Sequence, residues 1–350
     1  MRSVRGPLGI WVAWLAATLA AVAIGSVLFG QTQTDVTDAG PLSALWSWDA
    51  GWYSTIAHNG YPPYGSAEYG FLPFWPAFIR LTEIIGIGPW GQWLVVVAAT
   101  AALFVGLARA HQLVDPAANP TRSALGFALL PGSSLLLVAY PDAIVAAAIA
   151  WSSVLAVRRP LVAVVLLALS ATARPSALLG LIPAVWGSGQ RSRGWRIALI
   201  VVPALALAAV LADFAVRTGD FLVFTHAQAT FGRGGVADTP AYVTRSISEL
   251  QPRRLIGLAF ALGALVGASM LWRRGSAFRP WALLVVGALL LEALSGVIGP
   301  ALPRHLALAF PLGWAIAIVM AERPRLRWPL GIALGGCNLV LAALIGVVPP

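Results

Sequence analysis

The chain has 350 residues, of which 59% are hydrophobic and 10% charged. A soluble domain carries roughly 25% charged residues, so a water-soluble globular fold is excluded, and the mean hydropathy of +0.82 agrees. The 23 basic residues are all arginine and outnumber 13 acidic ones. They stand in short clusters between apolar runs, the positive-inside pattern of a membrane protein rather than a nucleic-acid surface.

About 20 apolar residues make one spanning helix, so the length holds on the order of ten crossings and leaves no room for a sizeable soluble domain. Residues 1–350 read as one polytopic, all-α transmembrane domain. The first run, Leu8–Phe29, follows Arg2 and Arg5. It is too long for the apolar core of a cleavable signal, roughly 7–15 residues, and predicts an uncleaved span with a cytoplasmic N-terminus. The stretch Gln31–Tyr69 is rich in Asp, Gly, Pro, Trp and Tyr, and it opens a large external loop over 31–91. Loops of that length are uncommon and usually functional. Within it, Phe71–Ile87 predicts a short helix lying at the membrane surface.

Further apolar runs fall at 92–108, 123–138, 142–157, 161–186, 197–216, 255–272, 281–298, 305–320 and 328–348. The clusters Arg109/Arg122, Arg158/Arg159, Arg191/Arg193/Arg196, Arg273/Arg274/Arg279 and Arg323/Arg325/Arg327 alternate with arginine-poor turns. The alternation holds if 161–186 crosses twice, as two short helices meeting near Arg174. That gives about eleven crossings. It places the loops 31–91 and 217–254, and the turns Tyr140–Asp142, Ala173–Ser176 and Gly299–His305, on the non-cytoplasmic side. A single crossing at 161–186 would invert everything downstream.

Cys337 is the single cysteine, so neither a disulfide framework nor a cysteine metal site is available. The four histidines form no HxxxH pair and there is no D-x-D pair, so metal-free chemistry is expected. The run Gly-Arg-Gly-Gly at 232–235 lacks the Lys-Ser/Thr ending and the preceding strand of a phosphate-binding P-loop. A lid over a site is the alternative role for that loop.

The most informative residues are WSWDAGWYSTIAHNGY over Trp46–Tyr61 and EYGFLPFWPAFIR over Glu68–Arg80. Trp48, Trp52, Ile56 and Asn59 recur at helical spacing, as expected of amphipathic rings along an interface. That stripe does not account for Asp49, a carboxylate among large aromatics at the bilayer surface, where partial desolvation would raise its basicity. A solvated loop acid is the plainer reading. Arg174 lies between two apolar segments, and an intramembrane arginine is a functional hypothesis by default. Arg304 stands at the external mouth of a span beside His305. The plainer reading pairs both arginines with Asp142, Glu68 or Glu292, or lets them snorkel to headgroups. Asp142 could equally cap the helix after Pro141, Glu292 could face Arg304, and His58 and His226 read as surface residues.

The first stretch, WDAGWYSTIAHNGY followed by FLPFWPAFIR, resembles the start of the PIG-V family of GT-C mannosyltransferases. Three later blocks resemble further family segments in the same order: Leu130–Ser134 leading to Tyr140–Asp142, Ala171–Ala177, and Pro303–Pro311. Pro141 and Asp142 depart from the usual Thr/Ser-Glu of the second. The resemblance implies an inverting transferase of the GT-C fold that uses a polyprenyl-phosphate-mannose donor at the non-cytoplasmic face of the plasma membrane. It maps the general base onto Asp49. Glu68, Asp142, Trp48, Trp52 and Tyr53 become candidates for acceptor or sugar binding, and Arg174, Arg304 and His305 for the donor phosphate.

Such an enzyme needs no cofactor beyond its donor. Its partners are membrane lipids, the polyprenyl-phosphate sugar and an acceptor, with no nucleic acid. A lysine-free basic set hints at GC-rich coding, so in a bacterium the acceptor would be a cell-envelope glycan, a lipoglycan or an exported protein. Two other classes remain open. A transporter or lipid-linked sugar flippase would show paired repeats and polar residues near the midplane. A non-catalytic subunit of the same fold would be expected to have lost its base.

Overall fold

The computed structural model describes residues 4–30, 39–187, 192–231, 239–249, 252–294 and 302–347. The fold is helical throughout these residues. It begins with α1 (Arg5–Phe29), then α2 (Asp49–Asn59), α3 (Phe74–Ile84) and α4 (Gly88–Val114). Next come α5 (Pro120–Ala128), α6 (Asp142–Leu155), α7 (Pro160–Ala171), α8 (Leu181–Gly187) and α9 (Arg193–Thr218). After α10 (Val223–Ala229) and α11 (Thr239–Ser248), the chain continues through α12 (Pro252–Arg273), α13 (Arg279–Leu294), α14 (Leu302–Leu308), α15 (Pro311–Glu322) and α16 (Arg327–Ala343).

Among the described residues, five helical stretches are long and apolar enough to cross a membrane: Arg5–Phe29, Gly88–Val114, Arg193–Thr218, Leu255–Arg273 and Pro324–Ala343. The pair α14 and α15, bent by 84°, makes a sixth if counted as one broken span. The expected figure of about eleven crossings is therefore not confirmed. The remaining runs form shorter helices, among them Asp142–Leu155 and Pro160–Ala171, and the cause is visible in the sequence. The run 123–138, expected to be one span, stops being α-helical after Ala128, because Pro131 cannot continue the ladder. The 3₁₀ turn Ser133–Leu137 follows. The run 161–186 breaks where expected: α7 ends at Ala171, Pro175 forces Arg174 into an extended conformation (φ −153°, ψ 136°), and a 3₁₀ turn, Pro175–Gly180, leads into α8.

The bundle has two packed ends. At 27 residues α4 is about 40 Å long. Near its start, Trp90 and Trp93 lie against Trp46 with ring centroids 5.2 and 6.5 Å away. Near its other end, His111 stacks on Trp314 at 4.7 Å and its Nδ1 lies 2.8 Å from Ser123 Oγ. Between the ends, α6 runs through the middle against α4 and α7 with most of its residues buried. Helices α5 and α15 cross so closely that a Cβ on Gly126 would lie 2.0 Å from Gly313 O, the small-residue contact common between membrane helices.

One buried side chain organises the break after α5. Asn338 of α16 accepts through Oδ1 from the backbone N–H groups of Gly132 (3.1 Å) and Ser134 (3.2 Å) and from Ser134 Oγ (2.9 Å). Its Nδ2 donates to Ala128 O (3.2 Å) and Ser133 Oγ (3.0 Å). It thereby satisfies polar backbone that the missing helical turn would otherwise leave bare in an apolar interior. Gly132 has φ +93°, and a Cβ there would lie 2.1 Å from Pro303 O, so the turn fits beneath Pro303 only with glycine.

Two predictions follow from this frame. Replacing Asn338 with alanine strands several buried donors and acceptors at about 1–3 kcal/mol each, so thermal unfolding in detergent should shift down by several degrees, and Asn338→Asp, which lacks the donors, should not restore it. In a Cys337→Ala background, a cysteine at exposed Tyr64 should react with an impermeant thiol reagent on intact cells and one at Ser192 should not. Labelling of Ser192→Cys from outside would reverse the expected orientation.

Candidate functional site

The site begins with a backbone kink. The 3₁₀ turn Gly40–Trp46 delivers the chain to Ser47, and α2 starts at Asp49. The residue between them, Trp48, has φ +62° and ψ −118°, and it is the one non-glycine with positive φ among the described residues. Such a conformation costs on the order of 1–3 kcal/mol and persists only where its surroundings enforce it. The enforcing group is the Tyr140 hydroxyl, which accepts from Asp49 N–H and donates to Ser47 O, both at 2.9 Å. It closes a clamp across Trp48. Trp48 is also held from the other side by its indole N–H, which donates to Ile345 O at 2.8 Å. Trp75 and Leu45 fix the segment carrying Tyr140: Trp75 Nε1 donates to Ala139 O (3.0 Å) and Ala139 N donates to Leu45 O (2.8 Å).

Around the clamped carboxylate lie two arginines. Arg304 Nη1 is 3.1 Å from Asp49 Oδ2, and Arg174 Nη2 is 3.9 Å from the same oxygen and 3.0 Å from Asp142 Oδ2. The Arg304 guanidinium also lies over the Tyr140 ring, 5.0 Å from its centroid, a cation–π contact. Its Nη2 lies 3.2 Å from His305 Nε2, and His305 Nδ1 faces Glu292 Oε1. Burial grades across the cluster. The Asp142 side chain is 1% exposed, Arg304 4% and Arg174 15%, whereas Asp49 is 29% exposed. Asp49 is thus the carboxylate that a solute can reach. The buried Nε atoms of Arg174 and Arg304 have no acceptor among the described residues, so each guanidinium keeps an N–H unused.

Burial pushes the phenols of Tyr53 and Tyr140 above their ordinary range, with the Asp49 carboxylate adding to the effect in both. They remain neutral hydrogen-bonding groups at any physiological pH, which leaves the carboxylates as the bases of the cluster. Beside Tyr53, the Phe71 ring stacks on Trp52 (6.0 Å, 15°), and Phe231 packs edge-on against both Trp52 and Phe71 at 5.6 Å. Gln228 on α10 donates to Gly70 O at 2.6 Å, tying the segment before Phe231 to the 3₁₀ turn Ala67–Gly70. Among the described residues, no three His, Cys, Asp or Glu side chains converge as a metal centre requires.

Of the residues singled out by sequence, Asp49, Asp142, Arg174, Arg304 and His305 come together, with Tyr53 against Tyr140 at 6.3 Å between ring centroids. The remaining ones are distributed around this cluster. Glu68 sits on the turn Ala67–Gly70 against α10 and joins no ion pair among the described residues. Trp48 does not belong to a helical stripe with Trp52, because its left-handed backbone puts it before the helix. Glu292 pairs with His305, not with Arg304. The plainer pairing holds for Arg174, which meets Asp142, whereas Arg304 meets Asp49, a partner outside the expected set. Asp142 occupies the first turn of α6 without a side-chain cap bond. His58 and His226 form surface pairs with Glu83 (3.1 Å) and Asp220 (2.7 Å). The run at 232–235 and the start of the 299–305 turn lie outside the described residues.

The sequence reading missed two contributors, the Tyr140 hydroxyl and Phe231. Tyr140 carried a usable signal, a tyrosine directly before Pro141-Asp142 at the start of a helix. Phe231 carried none, since its loop shows no periodicity.

No family model matches the chain, and no curated protein is similar to it in sequence. Among solved structures, the crystal structure of the Archaeoglobus fulgidus oligosaccharyltransferase in the apo form is similar at 15% identity and a TM-score of 0.47, covering 96% of this chain and 55% of that one. The same enzyme tethered to an acceptor peptide containing the NVT sequon matches at 13% identity and a TM-score of 0.42, covering 96% and 54%. The chain spans about half the length of that enzyme. A likeness this distant identifies neither a family nor an activity.

Proposed function

We propose that this chain is a GT-C-type inverting glycosyltransferase of the PIG-V-like kind. It moves mannose from polyprenyl-phosphate-mannose to a cell-envelope glycan, a lipoglycan or an exported protein at the non-cytoplasmic face of the plasma membrane. The observation that carries the reading is convergence. Asp49, Asp142, Arg174 and Arg304 come from the four separate segments that resemble the family, and they meet in one ion-pair cluster whose accessible member is Asp49. The ionised groups Asp49, Asp142, Arg174 and Arg304 are concentrated in this single cluster, and the chain shows no internal repeat of the kind expected of a transporter or flippase.

The chemistry suits these groups. A sugar or peptide hydroxyl is a weak nucleophile, and a carboxylate within hydrogen-bond reach takes its proton as the oxygen attacks the anomeric carbon. The bond from that carbon to the polyprenyl phosphate breaks as the new one forms, so the configuration inverts and a β-linked donor gives an α-linked product. The leaving phosphate is a good leaving group and needs less acid assistance than a glycosidase supplies. The charge it gains falls to cationic donors, for which the unused N–H groups of Arg174 and Arg304 are suited. Trp52 and Tyr53, on the same helix as Asp49, are suited to hold an acceptor or sugar ring.

A non-catalytic subunit is the second reading, and one observation favours it: both arginines are already paired with carboxylates, as in a purely structural cluster. Purified protein in detergent, given labelled polyprenyl-phosphate-mannose and a panel of envelope acceptors, separates the two.

Asp49→Asn keeps the shape and loses the basicity, so turnover should fall about 10²–10⁴-fold while donor affinity stays within a few-fold of wild type. A near-normal rate would end the assignment of Asp49. For the phosphate, Arg174→Ala and Arg304→Ala each remove a charge-assisted contact worth about 1.5–3 kcal/mol, and donor affinity should drop about tenfold to a hundredfold. Lysine should restore only part of it, because an ammonium cannot supply the planar fork. Unchanged donor binding in both variants, with thermal stability intact, would place the lipid phosphate elsewhere.

A further inference from the structure

Arg304 is held on three sides. One edge of its guanidinium meets Asp49, its face lies on Tyr140, and its Nη2 meets His305 Nε2 at 3.2 Å. The third contact fixes a proton. An arginine N–H can only donate, so His305 Nε2 must present its lone pair and the ring hydrogen must sit on Nδ1. That nitrogen faces Glu292 Oε1, a carboxylate able to accept it. The direction of the Arg304–His305 hydrogen bond is therefore set, from Arg304 Nη2–H to His305 Nε2, and the Nδ1–H is left in close contact with Glu292.

A proton on Nε2 would set two donors against each other at 3.2 Å, so the geometry of this contact requires the lone pair there.

We infer that Glu292 and His305 are positioning residues: together they orient the Arg304 guanidinium so that it grips Asp49 through Nη1 and leaves its Nε–H for an incoming anion. The arrangement parallels a carboxylate that fixes the tautomer of a working histidine, except that here the histidine works on an arginine. His305 thus supports the phosphate-binding arginine instead of touching phosphate itself. This inference rests on the proposed transferase reading for its consequence in turnover, but the tautomer stands independently of that reading.

The test has two arms. The chain holds four histidines, so ¹⁵N-histidine spectra in detergent are tractable, with the His305 signals assigned as those lost in His305→Gln. Wild type at neutral pH should show a neutral His305 ring carrying its proton on Nδ1, and Glu292→Leu should weaken that preference, since only the Arg304 donor then selects it. An imidazolium, or a proton on Nε2 in wild type, would overturn the inference whatever the activity. In the second arm, Glu292→Leu should lower kcat on the order of tenfold or more, as loss of an orienting outer partner does at metal-bound histidines. The KM for the acceptor should change little, and Glu292→Gln, whose amide oxygen still accepts from Nδ1–H, should recover most of the rate. Equal rates in wild type and Glu292→Leu would sink the positioning role. If the tautomer is as stated but Asp49→Asn retains full turnover, the transferase assignment of Asp49 fails while the hydrogen-bond chain stands.

Discussion

The hydroxyl of Tyr140 joins two backbone groups on either side of one strained residue, and the position of the Asp49 carboxylate depends on that clamp. Without it, Trp48 would relax from φ +62° to an ordinary conformation and α2 would start in a different direction. Two neutral hydrogen bonds contribute roughly 0.5–1.5 kcal/mol each, comparable with the strain they hold. The same phenol presents its ring to Arg304, so a single side chain sets the carboxylate by its oxygen and the guanidinium by its π face. Burial keeps that phenol protonated, a condition of its donating to Ser47 O.

The charges beneath the clamp are poor stabilisers of the fold. Removing ions from water costs several kcal/mol each, and mutual attraction roughly returns that cost only when geometry is good and remaining hydrogens are satisfied. Here the Nε atoms of both arginines find no acceptor among the described residues. A cluster selected for stability alone would be better served by apolar side chains. Its retention in the interior fits a site that holds unused donors ready for an anionic group.

The sequence exposed the membrane character, the first helix, the large early loop and the four segments that supply the cluster, because hydropathy and arginine placement are local signals. Pro175 after Arg174 even located the break between α7 and the following turn. The helix count was less legible. A run such as 123–138 is apolar throughout, and only Asn338, more than two hundred residues away, makes a break there affordable by satisfying the freed backbone. Partner choice was equally hidden. Three acidic candidates suited two arginines on sequence grounds, and Arg304 meets a fourth, Asp49, a long-range match that no periodicity encodes. Trp48 fell outside the expected helical stripe because it lies in irregular backbone, where spacing says little about direction.

The separation of Asp49 from Arg304 along the chain, 255 residues, bears on how the protein is made. At a synthesis rate of about 5–20 residues per second, roughly 13–50 s pass between the emergence of one and of the other. Once Arg174 has emerged, Asp49 and Asp142 are already made, and it is the sole cation of the finished cluster until Arg304 follows. Arg174 reaches both carboxylates in the final structure, at 3.9 and 3.0 Å, so it can chaperone the pair while translation continues. A nascent chain that stalls before α14 holds both carboxylates against a single guanidinium, a charge difference by which unfinished copies differ from complete ones.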